Sequence, residues 1–220
     1  MQAVETIFSD DSLLVLNKPS GLLCVPGRGV DKQDCLSSRV QHHFPGALIV
    51  HRLDMATSGL LLMARNASTQ RALGRLFEFR DVHKRYVAVV QGDIRRAAIQ
   101  HLLPVDDWQL IDLPIAVDWP NRPLRTIDHA TGKPSQTHWR FIEFDASTDS
   151  SRIELAPLTG RSHQLRVHLQ ALGHPIWGDA LYASAAKQAK AVRLMLHASS
   201  LAFTHPETGE PVAFELAAPF

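Results

Sequence analysis

The sequence predicts an α+β fold, with a mixed and mostly antiparallel sheet flanked by helices. Some stretches alternate apolar and polar residues with the period of a strand, others repeat apolar residues with the period of a helix, and Gly, Pro, Asn and Asp punctuate the boundaries. A chain of 220 residues with 45% hydrophobic content can bury a sizeable core. No Gly/Ser-rich linker, low-complexity tract or internal repeat divides it, so one domain spanning residues 1–220 is expected.

Thr6-Ile7-Phe8, a Ser-Asp-Asp turn and Leu13 to Leu16 read as a hairpin, ended by Asn17-Lys18-Pro19-Ser20-Gly21. The apolar run Leu60 to Ala64 reads as a buried strand. Asn66 is placed to cap a helix running to about Arg80, with Leu73, Leu76, Phe77 and Arg80 at helical spacing. From Lys84 to Val90 the pattern puts Tyr86, Ala88 and Val90 on one face of a strand. Residues 92–136 are rich in Pro and Asp and suggest loops and short strands, with Trp119-Pro-Asn-Arg-Pro123 a rigid surface loop, although Trp119 and Arg122 are residue types that stack on or clamp single-stranded RNA. Arg152 to Leu155 alternates as a strand and Pro157 to Gly160 turns into a helix. That helix has Ser162 as N-cap, an inner stripe of Leu165, His168, Leu169 and Leu172, Gly173 as the C′ residue and Pro175 as the stop. Arg193 to Ala198, Leu201 to Phe203 and Val212 to Glu215 complete a strand-rich end.

The chemistry points to HRLDMATSG, residues 51–59. It places one acid, Asp54, between a basic pair, His51 and Arg52, and a hydroxyl pair, Thr57 and Ser58. The polar residues before Gly59 read as a loop feeding the buried strand, which puts Asp54 at the edge of a core, where donors or cations must compensate its desolvation. A lone loop aspartate more often just closes an Asx turn.

Net charge is +1, but charge is polarised along the chain. Arg71, Arg75, Arg80, Lys84, Arg85, Arg95 and Arg96 form a basic stretch, whereas Asp106 to Asp118 holds acids and no Lys or Arg. The two cysteines, Cys24 and Cys35, read as small buried thiols. With an acidic start instead of a basic leader, they suggest a reducing, cytoplasmic setting. No apolar run approaches the roughly 20 residues of a membrane span. The twelve histidines contain no H-E-x-x-H and the chain no Cys-x-x-Cys, so no metal is expected. Neither G-x-x-x-x-G-K-[ST] nor G-x-S-x-G occurs, which removes the usual signals of nucleotide hydrolysis and serine esterase chemistry.

HRLD followed by TSG and an apolar strand resembles the catalytic motif of the RluA family of pseudouridine synthases. The resemblance continues in the family's order through NKPSGLL (17–23), KRYVAVVQG (84–92), TGRSHQLRVHLQALGHPIWGD (ending at Asp179) and LHA (196–198). DLPIAVDWPNRP (112–123) and TGKPSQT (131–137) resemble a small member with dual rRNA and tRNA specificity. It implies a single pseudouridine synthase catalytic domain, with no room ahead of the first strand for the small RNA-binding module many members carry, so target choice falls to the catalytic domain. It also implies an enzyme without cofactor that isomerises loop uridines in a 23S rRNA hairpin and a tRNA anticodon stem-loop, and a monomer.

By the same resemblance Asp54 is the catalytic acid, Arg161 its partner, Tyr86 the ring that stacks on uracil and Leu196 an apolar wall. Asp54 attacks ribose or base, or acts as a base through a glycal; the sequence leaves these open. Arg52 is the candidate for filling the space left by a flipped uridine, or for a plain phosphate contact. A non-catalytic RNA-binding or RNA-remodelling protein on the same fold is the rival reading, and the presence together of Asp54, Tyr86 and Arg161 argues against it.

Overall fold

A computed structural model describes residues 4–95 and 107–220, so Arg96 and Asp106, at the ends of the basic and acidic stretches, and the first three residues lie outside the described residues. In chain order the strands are β1 (Glu5–Ser9), β2 (Leu13–Lys18), β3 (Leu48–Ile49), β4 (Ser58–Ala64), β5 (His83–Gln91), β6 (Gln109–Asp112), β7 (Ile115–Val117), β8 (Arg125–Ile127), β9 (Gln136–Asp145), β10 (Ser150–Pro157), β11 (Leu196–Thr204) and β12 (Pro211–Glu215). The helices are α1 (Leu36–His43), α2 (Ala67–Phe79), α3 (Gln164–Ala171) and the short α4 (Ala185–Gln188). The chain divides into two units, residues up to 84 with 197–219, and residues 85–196 with Phe220.

In the first unit, β1 and β2 form the expected hairpin, its turn closed by the Asp10 carboxylate, which accepts the N–H groups of Ser12 at 2.7 Å and Leu13 at 2.8 Å. All seven residues of β4 are buried, because it is paired on both sides, antiparallel to β2 and parallel to β11. The parallel pairing sets His197 opposite Ser58 and Ala198 opposite Gly59. Gly59 has φ +109°, and a Cβ there would overlap the backbone of Ala198, so the close approach of these strands requires glycine. Asn66 caps α2 as expected, its carboxamide oxygen accepting the Thr69 N–H at 2.8 Å. Leu73 is fully buried against Leu13, Leu60, Leu62 and Phe203, with Leu76 and Phe77 packed beside it. Truncating such a residue to Ala costs about 2–5 kcal/mol. Arg80 departs from the expected helical stripe: it is the exposed C-cap with φ 66°. β12 pairs with β11, but Arg193 to Met195 precede the strand they were expected to form.

In the second unit, β10 lies antiparallel between β5 and β9, and β6 pairs with β9. Tyr86, Ala88 and Val90 are the buried face of β5, as their alternation predicts. The described part of residues 92–136 holds short strands and loops, with β7 and β8 a separate two-stranded ribbon. α3 departs from expectation at its start. His163 at φ 58° is its N-cap and Ser162 lies outside it, because the left-handed turn at His163 redirects the chain one residue later than the sequence suggests. Gly173 follows the helix at φ +82° as the predicted C′ residue. Burial also extends beyond the predicted stripe. All residues from Gln164 to Leu169 are buried while Leu172 is only half-buried. Arg166 tolerates this because Asp179 meets it with two charge-assisted bonds of 2.7 and 2.6 Å, both side chains being almost fully buried. Removing either partner would strand the other, at a cost of about 3–5 kcal/mol.

Candidate active site

Asp54 sits in the loop between β3 and β4, and the residues around it explain why that loop holds one shape. Leu53 is buried, while Arg52 on one side is exposed and Asp54 on the other is half-buried. The main-chain carbonyl of Asp54 closes the following turn by accepting the Thr57 N–H at 3.1 Å.

The segment NKPSGLL and the cysteine after it fasten this loop residue by residue. The Cys24 thiol donates to the Leu53 carbonyl at 3.2 Å and accepts the Leu53 N–H at 3.3 Å. Burial pushes the Cys24 thiol up, which keeps it in the protonated form that can donate. The Met55 carbonyl accepts from the Gly21 N–H at 2.8 Å and from the Lys18 ammonium at 3.0 Å, and the Ala56 carbonyl accepts from the Ser20 hydroxyl at 2.6 Å. Lys18 is fully buried, and its ammonium also donates to Pro19 at 2.9 Å and Leu22 at 2.7 Å. Three carbonyl acceptors match the three hydrogens of an ammonium. The backbone on both sides of Asp54 is thus pinned by side chains from a segment distant in sequence.

His51 is not the cation the sequence suggests. Its Nε2 accepts the Leu62 N–H at 3.0 Å and its ring stacks on Phe77 at 4.6 Å. Burial, with Lys84 adding to it, drives the imidazole down from its ordinary 6.5 to about 3, so it is neutral at physiological pH. Of the expected hydroxyl pair, Ser58 lies 2.7 Å from His197 Nδ1, the residue opposite it in β11.

The second unit holds the other predicted site residues. Tyr86 is buried on β5, opposite Leu155 of β10. Because these strands are antiparallel, Tyr86 lies at the end of the sheet where β10 runs out toward Arg161. Arg161 is exposed. Its N–H donates to the Gln164 carboxamide at 3.0 Å, and its guanidinium approaches the Pro134 carbonyl at 3.5 Å. Leu196 is 2% exposed. The preceding Met195 exchanges backbone bonds with Val89 at 3.1 Å and Trp177 at 2.9 Å.

Several supporting residues in this unit escaped the sequence reading. The Gln164 carboxamide accepts from the Thr159 hydroxyl at 2.7 Å as well as from Arg161, and donates to the Gln136 carbonyl and the Thr137 hydroxyl, both at 3.0 Å. It thereby fixes the Thr159–Arg161 bend. His168 completes the support: its Nε2 faces the Leu113 carbonyl and its Nδ1 the Thr137 hydroxyl, both at 3.0 Å, so Nε2 carries the hydrogen and Nδ1 accepts. Burial lowers the pKa of His168 and keeps it neutral.

The sequence model of the RNA pseudouridylate synthase family matches residues 12–171. The chain belongs to the RNA pseudouridylate synthase family. It is 47% identical over 214 residues to the dual-specificity RNA pseudouridine synthase RluA of Escherichia coli strain K12, covering 97% of this chain and 93% of that protein. The Yersinia pestis RluA is equally similar, with 97% of this chain and 98% of that protein covered. Among solved structures, human RNA pseudouridylate synthase domain containing 1 shares 30% identity with a TM-score of 0.78, covering 99% of this chain and 84% of that one. Human RNA pseudouridylate synthase domain containing 4, at 23% identity and a TM-score of 0.73, shares the fold, covering 98% of this chain and 88% of that one. The chain is a pseudouridine synthase, the motif loop at Asp54 lies inside the matched region, and no helix among the described residues is long and apolar enough to cross a membrane.

Proposed function

We propose that this synthase isomerises uridines in the loops of structured RNA, with Asp54 as the reacting carboxylate, in a single catalytic domain that acts as a cytoplasmic monomer. In the net reaction the bond from C1′ to N1 breaks and one from C1′ to C5 forms, while the hydrogen at C5 is lost and N1 gains one. No electrons are gained or lost, and no cofactor is called for. Asp54 begins the exchange as nucleophile or base. Arg161 supplies the opposite charge that orients it, Tyr86 stacks on the uracil, and Leu196 walls the pocket. Arg52 occupies the space vacated when the target nucleotide leaves the stack, a role suited to a planar guanidinium.

One observation supports the assignment to Asp54 above the others. Its loop is fastened at Leu53, Met55 and Ala56 by Cys24, Lys18, Gly21 and Ser20, the preorganisation a reacting carboxylate needs and a surface turn does not. An unstacked uridine costs least in a hairpin loop. The likeness to two dual-specificity synthases extends the reading to two RNA classes. We take these to be a 23S rRNA hairpin and a tRNA anticodon stem-loop. Incubating the protein with both synthetic stem-loops and mapping carbodiimide-resistant adducts should show one modified loop uridine in each. Modification of neither, or equal modification of a fully paired duplex, would overturn this reading. Arg161→Ala should lower turnover on both loops, with Arg161→Lys recovering part of it.

A further inference from the structure

The ribbon of β7 and β8 carries at its tip a pair of side chains that the site above does not use. Trp119 is 67% exposed, and the guanidinium of Arg122 lies 3.6 Å from the centre of its ring. A large aromatic ring left in water forgoes the burial that usually places such a residue inside. The stack with Arg122 shows that the ring is already used as a platform for a planar cation. Arg122 is itself exposed, and its guanidinium has no ion pair among the described residues.

The tip is not a loose loop. The carboxylate of Asp118 accepts the side-chain amide of Asn121 at 3.1 and 3.0 Å and its N–H at 3.3 Å. The Asp118 N–H donates to the Leu124 carbonyl at 3.1 Å, and the Leu124 N–H to the Asn121 carbonyl at 3.0 Å. The only acid in this turn is therefore occupied within it, and the cation is the group left facing outward. The strand residue next to this turn ties the ribbon to the helix that follows Arg161: the Tyr182 hydroxyl accepts the Arg125 N–H at 2.9 Å and lies 2.7 Å from Nδ1 of His163, the N-cap of α3.

From this arrangement, and resting on the RNA-modifying reading above, we infer that Trp119 and Arg122 form a nucleotide clamp for the substrate RNA. The ring stacks on one unpaired base outside the reacting uridine, and the guanidinium bonds the adjoining phosphate. An aromatic face with a positive group beside it is the chemistry that holds single-stranded RNA without reading its sequence. The clamp thus gives a way to grip two different loops with one surface.

The test uses the full chain and a fluorescein-labelled anticodon stem-loop, with affinity read by anisotropy and stacking by tryptophan fluorescence. Trp119→Ala should weaken binding roughly tenfold, the loss of one stacked base. Trp119→Phe, which keeps a stacking face, should remain within about threefold of the parent. The chain has four tryptophans, so the quenching that RNA produces in the parent and not in Trp119→Phe reports this ring. Arg122→Ala should weaken binding and reduce the salt slope by about one. Because Trp119 is exposed, the melting temperature should not change. Affinity of Trp119→Ala within twofold of the parent, or equal quenching in the parent and Trp119→Phe, would overturn the clamp. Wild-type turnover on the same RNA separates the two proposals: if the parent modifies the loop and Trp119→Ala binds it normally, only the clamp fails.

Discussion

Replacing Lys18 by methionine keeps a linear side chain of similar length and removes the ammonium. In the native protein that ammonium is fully buried and donates to the carbonyls of Pro19, Leu22 and Met55 at 2.9, 2.7 and 3.0 Å. A hydrogen bond from a charged donor is worth about 1.5–3 kcal/mol net, and a buried acceptor left unpaired costs a similar amount. Three such bonds would sum to more than 4 kcal/mol, but methionine no longer requires a buried charge, which offsets part of the loss. A net destabilisation of about 3 kcal/mol is expected. For a domain of this size each kcal/mol shifts the midpoint by roughly 2–4 °C, so Tm should fall by about 6–12 °C. The Met55 carbonyl is one of the points that fix the loop of Asp54, and a displacement of about 1 Å at a reacting group costs on the order of a hundredfold. Lys18→Met should therefore lower kcat on a stem-loop substrate by about 10–100-fold at a temperature where the variant is folded, with RNA affinity nearly unchanged. Thermal melts and single-turnover assays below the new Tm measure both effects. A Tm within about 2 °C of the parent together with an unchanged kcat would refute the role given to Lys18.

Three further outcomes are expected. His51 and His168 have pKa values lowered by burial, so the unfolded chain binds protons they refuse; stability should be full above the unfolded value of about 6.5 and fall as pH drops toward 3, and His51→Gln should flatten that slope in melts across the range. Gly59→Ala should destabilise the protein by more than about 3 kcal/mol through its positive φ and the overlap with Ala198, whereas Gly160→Ala, with open space around it, should stay within about 1 kcal/mol, both read from denaturant melts. Arg52→Lys should keep the salt slope of RNA binding but reduce the fluorescence change of a 2-aminopurine placed beside the target uridine; an undiminished change would assign Arg52 to a phosphate instead.

Much of this molecule is legible from local pattern because the relevant physics is local. The continuous apolar run of β4, the two-residue alternation around Tyr86, the Asn66 cap and the Gly173 C′ residue each follow from periodicity or from one side chain's bonds to its own neighbourhood. What stayed hidden depends on partners distant in sequence. Nothing local in NKPSG marks its lysine as buried, and only the fold brings the Met55 carbonyl to it. His51 reads as a cation until Phe77 and the Leu62 N–H are placed around its ring. Arg166 reads as an outward residue of α3 until Asp179 is folded beneath it. Ser162 had the right chemistry for a cap, but the backbone turn at His163 put the helix start beyond its reach. The Asp54 motif is recognisable in the sequence, yet the network that holds its loop is not.

One substitution decides whether Asp54 reacts or merely shapes its loop. Asp54→Asn preserves the outline of the side chain and the backbone carbonyl that bonds Thr57, but an amide is neither nucleophile nor base. The direct measurement is single-turnover pseudouridine formation on an anticodon stem-loop, alongside the affinity for the same RNA. With Asp54 as the reacting group, Asp54→Asn binds within about threefold of the parent and forms no detectable pseudouridine; turnover within about tenfold of the parent would contradict the assignment.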